Sequence, residues 1–300
     1  YILRSRSTES VNYSSYMTQL HYISQNTKYY KWFVFFSIAI GTFISVVDHG
    51  SVLVALPVMQ THFGSDLPAV QWVVTGYLLT ISALLLPMGR LGDYLGKNRI
   101  YIFGLIIFAV ASFFASISSE LIMVILSKIL QGAGSAMIQG NAIAIIVSTF
   151  PAAERGKALG SHLSVVGTGL IAGPALGGLL VDLFGWKSVF IVNIPVALIA
   201  IAVTVIVMGV RSEENIDIKS NPFDWKGSVI STAFLIGILL LFNKVTEYGW
   251  SSFPILGGAF VLVCLLILFI VVETRVTSPM LDVRLFTNPI IGLGFLSSWI

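Results

Sequence analysis

The sequence predicts an all-α, polytopic membrane protein, and three observations carry that reading. Only 10% of the 300 residues are charged while 56% are hydrophobic, against roughly 25% charged in soluble domains. The apolar residues fall in runs long enough to cross a hydrocarbon core, which takes about 20 residues of helix. The basic residues gather in every second connection between those runs. Together these features exclude a soluble enzyme, a disordered tail, a nucleic-acid binder and a secreted disulfide scaffold. The lone Cys264 has no internal partner to bridge to.

Residues 1–31 are polar and hold Arg4, Arg6, Lys28 and Lys31, so a tail is expected there. Apolar runs follow at 32–56, 70–89, 100–117, 121–148, 158–181, 188–209, 228–243 and 254–272, and a ninth opens near Asn288. Glycines, prolines and aromatic ends without strict alternation select helices over barrel strands. The first run carries Asp48 and meets Pro57. The fourth carries Lys128, the fifth Pro174, and the sixth Asn193 and Pro195, which suggest a bend. Between them, Arg90, Lys97, Arg99, Arg155, Lys157, Arg211, Lys219, Lys226, Arg275 and Arg284 fall on the tail's side. Lys187 and Lys244 fall opposite. The positive-inside rule makes the tail cytoplasmic, with the first run too long for a signal peptide. A run still open at Ile300 would leave backbone groups unpaired in lipid. A longer protein, with its C-terminal half beyond this chain, is therefore expected.

Several chemistries lack their signatures. Gly92 to Lys97 is one residue short of a Walker A loop and is followed by Asn98. His-Glu-x-x-His, Cys-x-x-Cys and Gly-x-Ser-x-Gly do not occur. Gly167-Thr-Gly169 lacks a third glycine and sits inside a span. No enzyme activity, catalytic residue, cofactor or metal is expected, and an ion gradient is the expected energy source.

The second connection reads Gly89-Arg-Leu-Gly-Asp93-Tyr-Leu-Gly96-Lys97-Asn-Arg99. Glycines permit a sharp turn between two helices, and Asp93 can cap a helix or pair with neighbouring cations. The arrangement resembles the loop motif of the major facilitator superfamily, in which acid and cations form a cytoplasmic latch. Further segments resemble one branch, the fourteen-span drug:proton antiporters (EmrB/QacA type). They are Asp48-His-Gly-Ser-Val-Leu-Val-Ala-Leu-Pro57, Gln71-Trp-Val-Val-Thr-Gly-Tyr77, Gly169-x-x-x-Gly173-Pro174-x-x-Gly177-Gly178, and Gly185-Trp-Lys-Ser-Val-Phe-Ile-Val-Asn193-Ile-Pro195. Phe223-Asp-Trp225 and Ser278-Pro-Met280 also fit. The chain departs from the branch at Gly50 and Leu53, where threonine and asparagine are usual. It departs again at Lys128, where arginine is usual, and at Tyr94.

The resemblance implies a facilitator-type six-helix bundle over 32–209, built as three-plus-three inverted repeats. A cytoplasmic loop at 210–227 would lead to two linker spans at 228–272. Residues 273–300 would hold a loop and the start of the second bundle. It implies a multi-pass plasma-membrane transporter that exchanges protons for small hydrophobic compounds, cationic ones included. The partners would be substrate, protons, the bilayer and the missing half of the chain. Two alternatives stay open: a non-transporting remnant or scaffold that keeps the fold, and a facilitator-type metabolite transporter.

Within that frame the site residues follow from cost and periodicity. Asp48 is the one acid well inside a span. A charge at mid-bilayer costs about 2.5–3.5 kcal/mol on insertion scales, so a proton-coupling role is expected, with a structural carboxylate that pairs helices as the alternative. Asp48 lies nine residues from Pro57, about 13 Å along a helix, and Lys128 seven from Leu121, about 10 Å. The two are predicted to meet, with snorkelling of Lys128 as the alternative. Lys128, Gln131, Ser135 and Gln139 share one helix face, expected to line a cavity with Tyr77 and Asn193. Interhelical hydrogen bonding without a cavity is the competing reading. Gly132, Ala136 and Gly140, and separately Gly169, Gly173 and Gly177, form ridges for close packing. The second ridge, with Pro174, is expected to serve gating as well. His49 and His162 read as satisfied packing residues, and Trp72 and Tyr77 as rings able to stack on an aromatic or cationic substrate, with an interfacial anchor as the alternative for Trp72.

Overall fold

The structure, a computed structural model, describes residues 29–209 and 223–276. Arg4, Arg6, Lys28, Arg211, Lys219, Arg284 and the expected ninth span lie outside the described residues.

The helices are α1 Tyr30–Phe63, α2 Leu67–Leu95, α3 Lys97–Ile117, α4 Leu121–Thr149 and α5 Arg155–Phe184. After them come α6 Ser188–Ile191, α7 Asn193–Met208, α8 Trp225–Tyr248 and α9 Phe253–Glu273. No strand occurs among the described residues. Counting α6 and α7 as one, eight of these spans are long and apolar enough to cross a membrane.

Several helices overrun the apolar runs, because hydropathy marks lipid depth whereas a helix ends at its cap. The α1 helix stops at Gly64, in the left-handed region, and Asp66 opens α2 by accepting a hydrogen bond from the Ala69 N–H at 3.2 Å. A single residue, Gly96 at φ 103°, joins α2 to α3. This corrects the reading of the loop glycines. Gly89 and Gly92 stay helical, because their missing side chains admit the backbone of Gly140 and the side chain of Asn141. The sixth span breaks at Val192, between α6 and α7. Pro195 has no N–H to return to the carbonyl of Ile191.

The packing has an internal exchange symmetry. The α1 helix lies along α5 and α2 along α4, while α3 packs on α4 as α1 packs on α7. Swapping the first three spans for the next three leaves these pairs unchanged. Both long pairs use absent side chains. A Cβ at Gly173 would sit 2.8 Å from the Val47 carbonyl oxygen, and one at Gly132 would sit 2.8 Å from that of Tyr77. Pro174 stays within α5 and packs against Gly50, and the Gly177 backbone abuts Ser51. The α8–α9 hairpin joins the bundle through α2.

Two hydrophobic clusters fill the bundle. One, at the end that carries Tyr30, includes Phe35, Ile38, Leu105, Phe108, Ile138, Ile145, Phe150 and Ala200. The other includes Val52, Met59, Val73, Val124, Trp186 and Phe190. Between them, α1 contributes Ser45 and Asp48, α4 contributes Lys128 to Ser135, and α7 contributes Asn193. The result is a polar layer sandwiched between two apolar ones.

Candidate functional site: a buried ion pair in the polar layer

Asp48 and Lys128 meet in this layer. The Lys128 Nζ donates to Asp48 Oδ2 at 2.6 Å, and both side chains are within 1% of complete burial. The other carboxylate oxygen, Oδ1, accepts from Asn193 Nδ2 at 2.6 Å and from Gln131 Nε2 at 3.3 Å. A second Lys128 bond reaches Gln131 Oε1 at 2.6 Å. Gln131 Nε2 also donates to Ser112 Oγ at 2.8 Å. Three helices, α1, α4 and α7, therefore meet at one carboxylate and one ammonium, and Ser112 of α3 braces Gln131. Helical spacing sets Lys128 and Gln131 one turn apart on α4. The break at Val192 puts Asn193 on the first turn of α7, where its amide reaches Asp48. Burial without such partners would cost several kcal/mol per ion; here every oxygen of Asp48 accepts a hydrogen bond.

Tyr77 lies against the pair. Its ring centroid is 4.0 Å from Lys128 Nζ, and the Phe190 ring is 5.8 Å away. The Tyr77 hydroxyl donates to the Ser45 carbonyl at 2.9 Å and lies 2.9 Å from Ser135 Oγ. Gln139 Nε2 reaches Ser45 Oγ at 3.4 Å.

The stripe predicted on α4 thus exists, but its surroundings differ from expectation. Gln131, Ser135, Tyr77 and Asn193 are at most 2% exposed. They form a closed interhelical network instead of an open cavity wall, because each satisfies another's hydrogen bonds across a helix interface. Gln139 is half-buried. Trp72 and Tyr77 make no common surface: Trp72 is exposed at the start of α2, and Tyr77's ring faces Lys128. His49 and His162 are not satisfied at Nδ1, which is buried without a hydrogen-bond partner in each. Packing holds them, and the His49 ring stacks on Tyr77 at 6.1 Å. Gly50 and Leu53 do not leave Asp48 uncoordinated, since its partners come from α4 and α7. Sequence reasoning missed Ser112 and Ser45: the first and third runs each hold several serines, and only the packing of the helices selects these two.

At the end that carries Tyr30, Asp93 lies 3.4 Å from Lys97 Nζ and 3.8 Å from the Arg90 guanidinium. The cluster is partly exposed, and Arg99 is exposed on the first turns of α3. Gly89 packs on Gly140, and Gly96 makes the turn.

The sequence profile of the Major Facilitator Superfamily matches residues 38–299. The chain belongs to the Major Facilitator Superfamily. Within it, the chain is 35% identical over 260 residues to the riboflavin transporter RibZ of Clostridioides difficile (strain 630), covering 86% of this chain and 55% of that one. It is 31% identical over 264 residues to the tetracenomycin C resistance and export protein of Streptomyces glaucescens, covering 88% and 48%. A third facilitator relative, the drug efflux pump JefA of Mycobacterium tuberculosis, is 31% identical over 258 residues, covering 84% and 49%. The chain spans about half the length of the curated relatives it matches. In fold it is similar to a bacterial homolog of the human lysosomal transporter Spinster, solved inward-facing and unoccupied. The TM-score is 0.53 at 18% identity, over 77% of this chain and 56% of that one. A peptide transporter, POT, solved with sulfate, gives 0.52 at 15% identity, over 81% and 53%. The facilitator bundle is thus a multi-pass membrane fold.

Proposed function

We propose that the full-length protein is a proton-coupled antiporter of the fourteen-span drug:proton type. It would export small hydrophobic compounds, cationic ones included, across the plasma membrane, with a cytoplasmic N-terminus. The observation that carries this reading is the Asp48–Lys128 pair, fully buried between two apolar layers. A charged pair there costs desolvation energy that packing alone does not require. A carboxylate that can take up a proton at that depth gives the cost a use. Protonation removes the attraction between Asp48 and Lys128 and loosens the contacts among α1, α4 and α7. Opening that layer would expose Gln131, Ser135, Gln139, Tyr77 and Asn193 to cargo. The bundle at 32–209 would rock against a second bundle, pivoting on Gly169, Gly173, Pro174 and Gly177. Gly89, Asp93, Gly96, Lys97 and Arg99 would latch the cytoplasmic gate. Loop 210–227 and spans 228–272 would link the halves. The efflux relatives at 31% identity support export.

Replacing Asp48 with Asn in the full-length protein tests the coupling. Efflux against a gradient should disappear while the protein still inserts and folds; retained proton-driven efflux sinks the carrier role. A second reading, metabolite transport, draws on the 35% identity to the riboflavin transporter. A proton-flux assay across a panel of drugs and flavins separates the two.

A further inference from the structure

The partners of Lys128 fall into two kinds. Asp48 holds the ammonium by charge, and that attraction ends when the carboxylate takes up a proton. The Gln131 carbonyl oxygen at 2.6 Å, the Tyr77 ring at 4.0 Å and the Phe190 ring at 5.8 Å hold it without charge of their own. Those contacts do not depend on the charge of the carboxylate. A desolvated ammonium is stabilised by an aromatic face and by a hydrogen bond to a carbonyl oxygen.

We infer that Tyr77, with Gln131 and Phe190, forms a neutral seat that keeps Lys128 charged and in place when Asp48 becomes protonated. This deepens the proposed function and rests on its assignment of Asp48 as proton carrier. Tyr77 is a positioning residue: it touches Lys128 and acts on Asp48 only through it. With the seat present, proton loading takes the site from neutral to singly positive. Without it, no uncharged partner would hold the Lys128 ammonium beside a protonated Asp48. The titratable groups at the site are Asp48 and His49 on α1, Tyr77 on α2 and Lys128 on α4. From α3, α6 and α7 the facing groups are the uncharged Ser112, Phe190 and Asn193.

The sign follows from where the seat contributes more. In the unloaded state Asp48 shares the ammonium; in the loaded state the seat holds it alone. Weakening the seat therefore weakens proton binding and moves uptake to lower pH. The test measures Asp48-dependent proton uptake of the purified full-length protein with a pH dye, as the difference from Asp48→Asn, which retains His49. Tyr77→Phe keeps the ring face, whereas trifluorophenylalanine at 77 keeps the shape and drains the π density. The fluorinated protein should bind the proton about threefold more weakly than Tyr77→Phe, a midpoint about half a pH unit lower. Trifluorophenylalanine in place of Phe190 preserves shape against wild type and should shift the midpoint the same way by less. Equal midpoints for fluorinated and unfluorinated rings at both positions would overturn the seat. Absent Asp48-dependent uptake would instead overturn the carrier assignment beneath it. Normal, fluorination-sensitive uptake without proton-driven efflux would leave the seat standing and sink the transport reading.

Discussion

The six-span bundle and the α8–α9 hairpin solve the same solvent problem in opposite ways. Among the described spans α9 is the most apolar yet buries 11% of its apolar stretch, whereas the less apolar stretch of α1 is 67% buried. The exposed side chains of α9 are mainly Leu, Ile, Val and Phe, a composition suited to lipid. Between the helices of the hairpin lies an apolar crevice of about 420 Å³ lined by Gly237, Leu241, Gly258 and Leu262 among others. The bundle does what lipid contact forbids, keeping ions, amides and hydroxyls at mid-depth between apolar clusters. Hydropathy thus identifies membrane spans, while departures from hydropathy mark the spans that hold buried polar groups. The charge-bearing layer belongs to the bundle alone among the described residues at mid-span.

The largest expected break in that contrast comes from halving the ion pair. Lys128→Met leaves Asp48 buried without its cation and should destabilise the full-length protein by about 3–5 kcal/mol. Thermal unfolding in detergent at neutral pH reads this loss. The double variant Asp48→Asn/Lys128→Met should recover most of it, since neither charge then remains. Lys244→Met in the hairpin, where the ammonium lies 5.6 Å from the Tyr248 ring, should change stability by no more than about 1 kcal/mol. Equal losses at positions 128 and 244 would erase the distinction between the two regions.

Close packing gives the next effect. Gly173→Val puts side-chain atoms into the Val47 carbonyl and the Gly50 backbone, and should cost about 1–3 kcal/mol by overpacking. Gly257→Ala in α9 meets open space and should not destabilise at all. Unfolding midpoints of the two variants check the difference. A Gly173→Val protein as stable as wild type would mean that the α1–α5 contact is not a fixed one.

These residues also mark how far the sequence was legible. Span number and helical type followed from the apolar runs, because lipid imposes a length and full backbone pairing. The meeting of Asp48 with Lys128 followed from depth counting, because a helix rises uniformly from its end. The glycine ridges at 169, 173 and 177 and at 132 and 140 followed from spacing. Two things did not. Helix ends such as Phe63 and Leu95 lie beyond the lipid-like stretch, where only capping geometry at Gly64 and Gly96 decides. The closure around Gln131, Ser135 and Tyr77 depends on which hydroxyls other helices bring. Nothing in the serines of the first and third runs distinguishes Ser45 and Ser112 from their neighbours before the helices are packed.

Ser112 provides a finer test of the layer. Its hydroxyl accepts from Gln131 at 2.8 Å and donates to the Phe108 carbonyl at 2.8 Å. Ser112→Ala leaves one amide hydrogen of Gln131 facing a methyl group, an expected loss of about 1 kcal/mol. If Ser112 acts only through Gln131, Ser112→Ala should cost nothing further in a Gln131→Leu background, as a double-mutant cycle by thermal unfolding would record. Additive losses would remove Ser112 from the layer.

The smallest expected effect lies outside the layer, where Lys31 Nζ stands 2.6 Å from Glu154 Oε2 and ties the start of α1 to the turn before α5. The geometry is as close as that of the buried pair, so distance alone would rank the two equally. Burial separates them: the Lys31 and Glu154 side chains are 21% and 42% exposed, against 1% and 0% for Lys128 and Asp48. Water screens the first pair and salt weakens it further. Lys31→Met should therefore cost at most about 1 kcal/mol, and raising the salt concentration should shrink that cost towards zero. The cost of Lys128→Met should hardly respond to salt, because ions do not reach a pair enclosed by two apolar clusters. Unfolding both variants at low and high ionic strength measures the contrast directly. A salt-sensitive Lys128→Met would mean that the layer is open to solvent, and the enclosure of the ion pair would have to be abandoned.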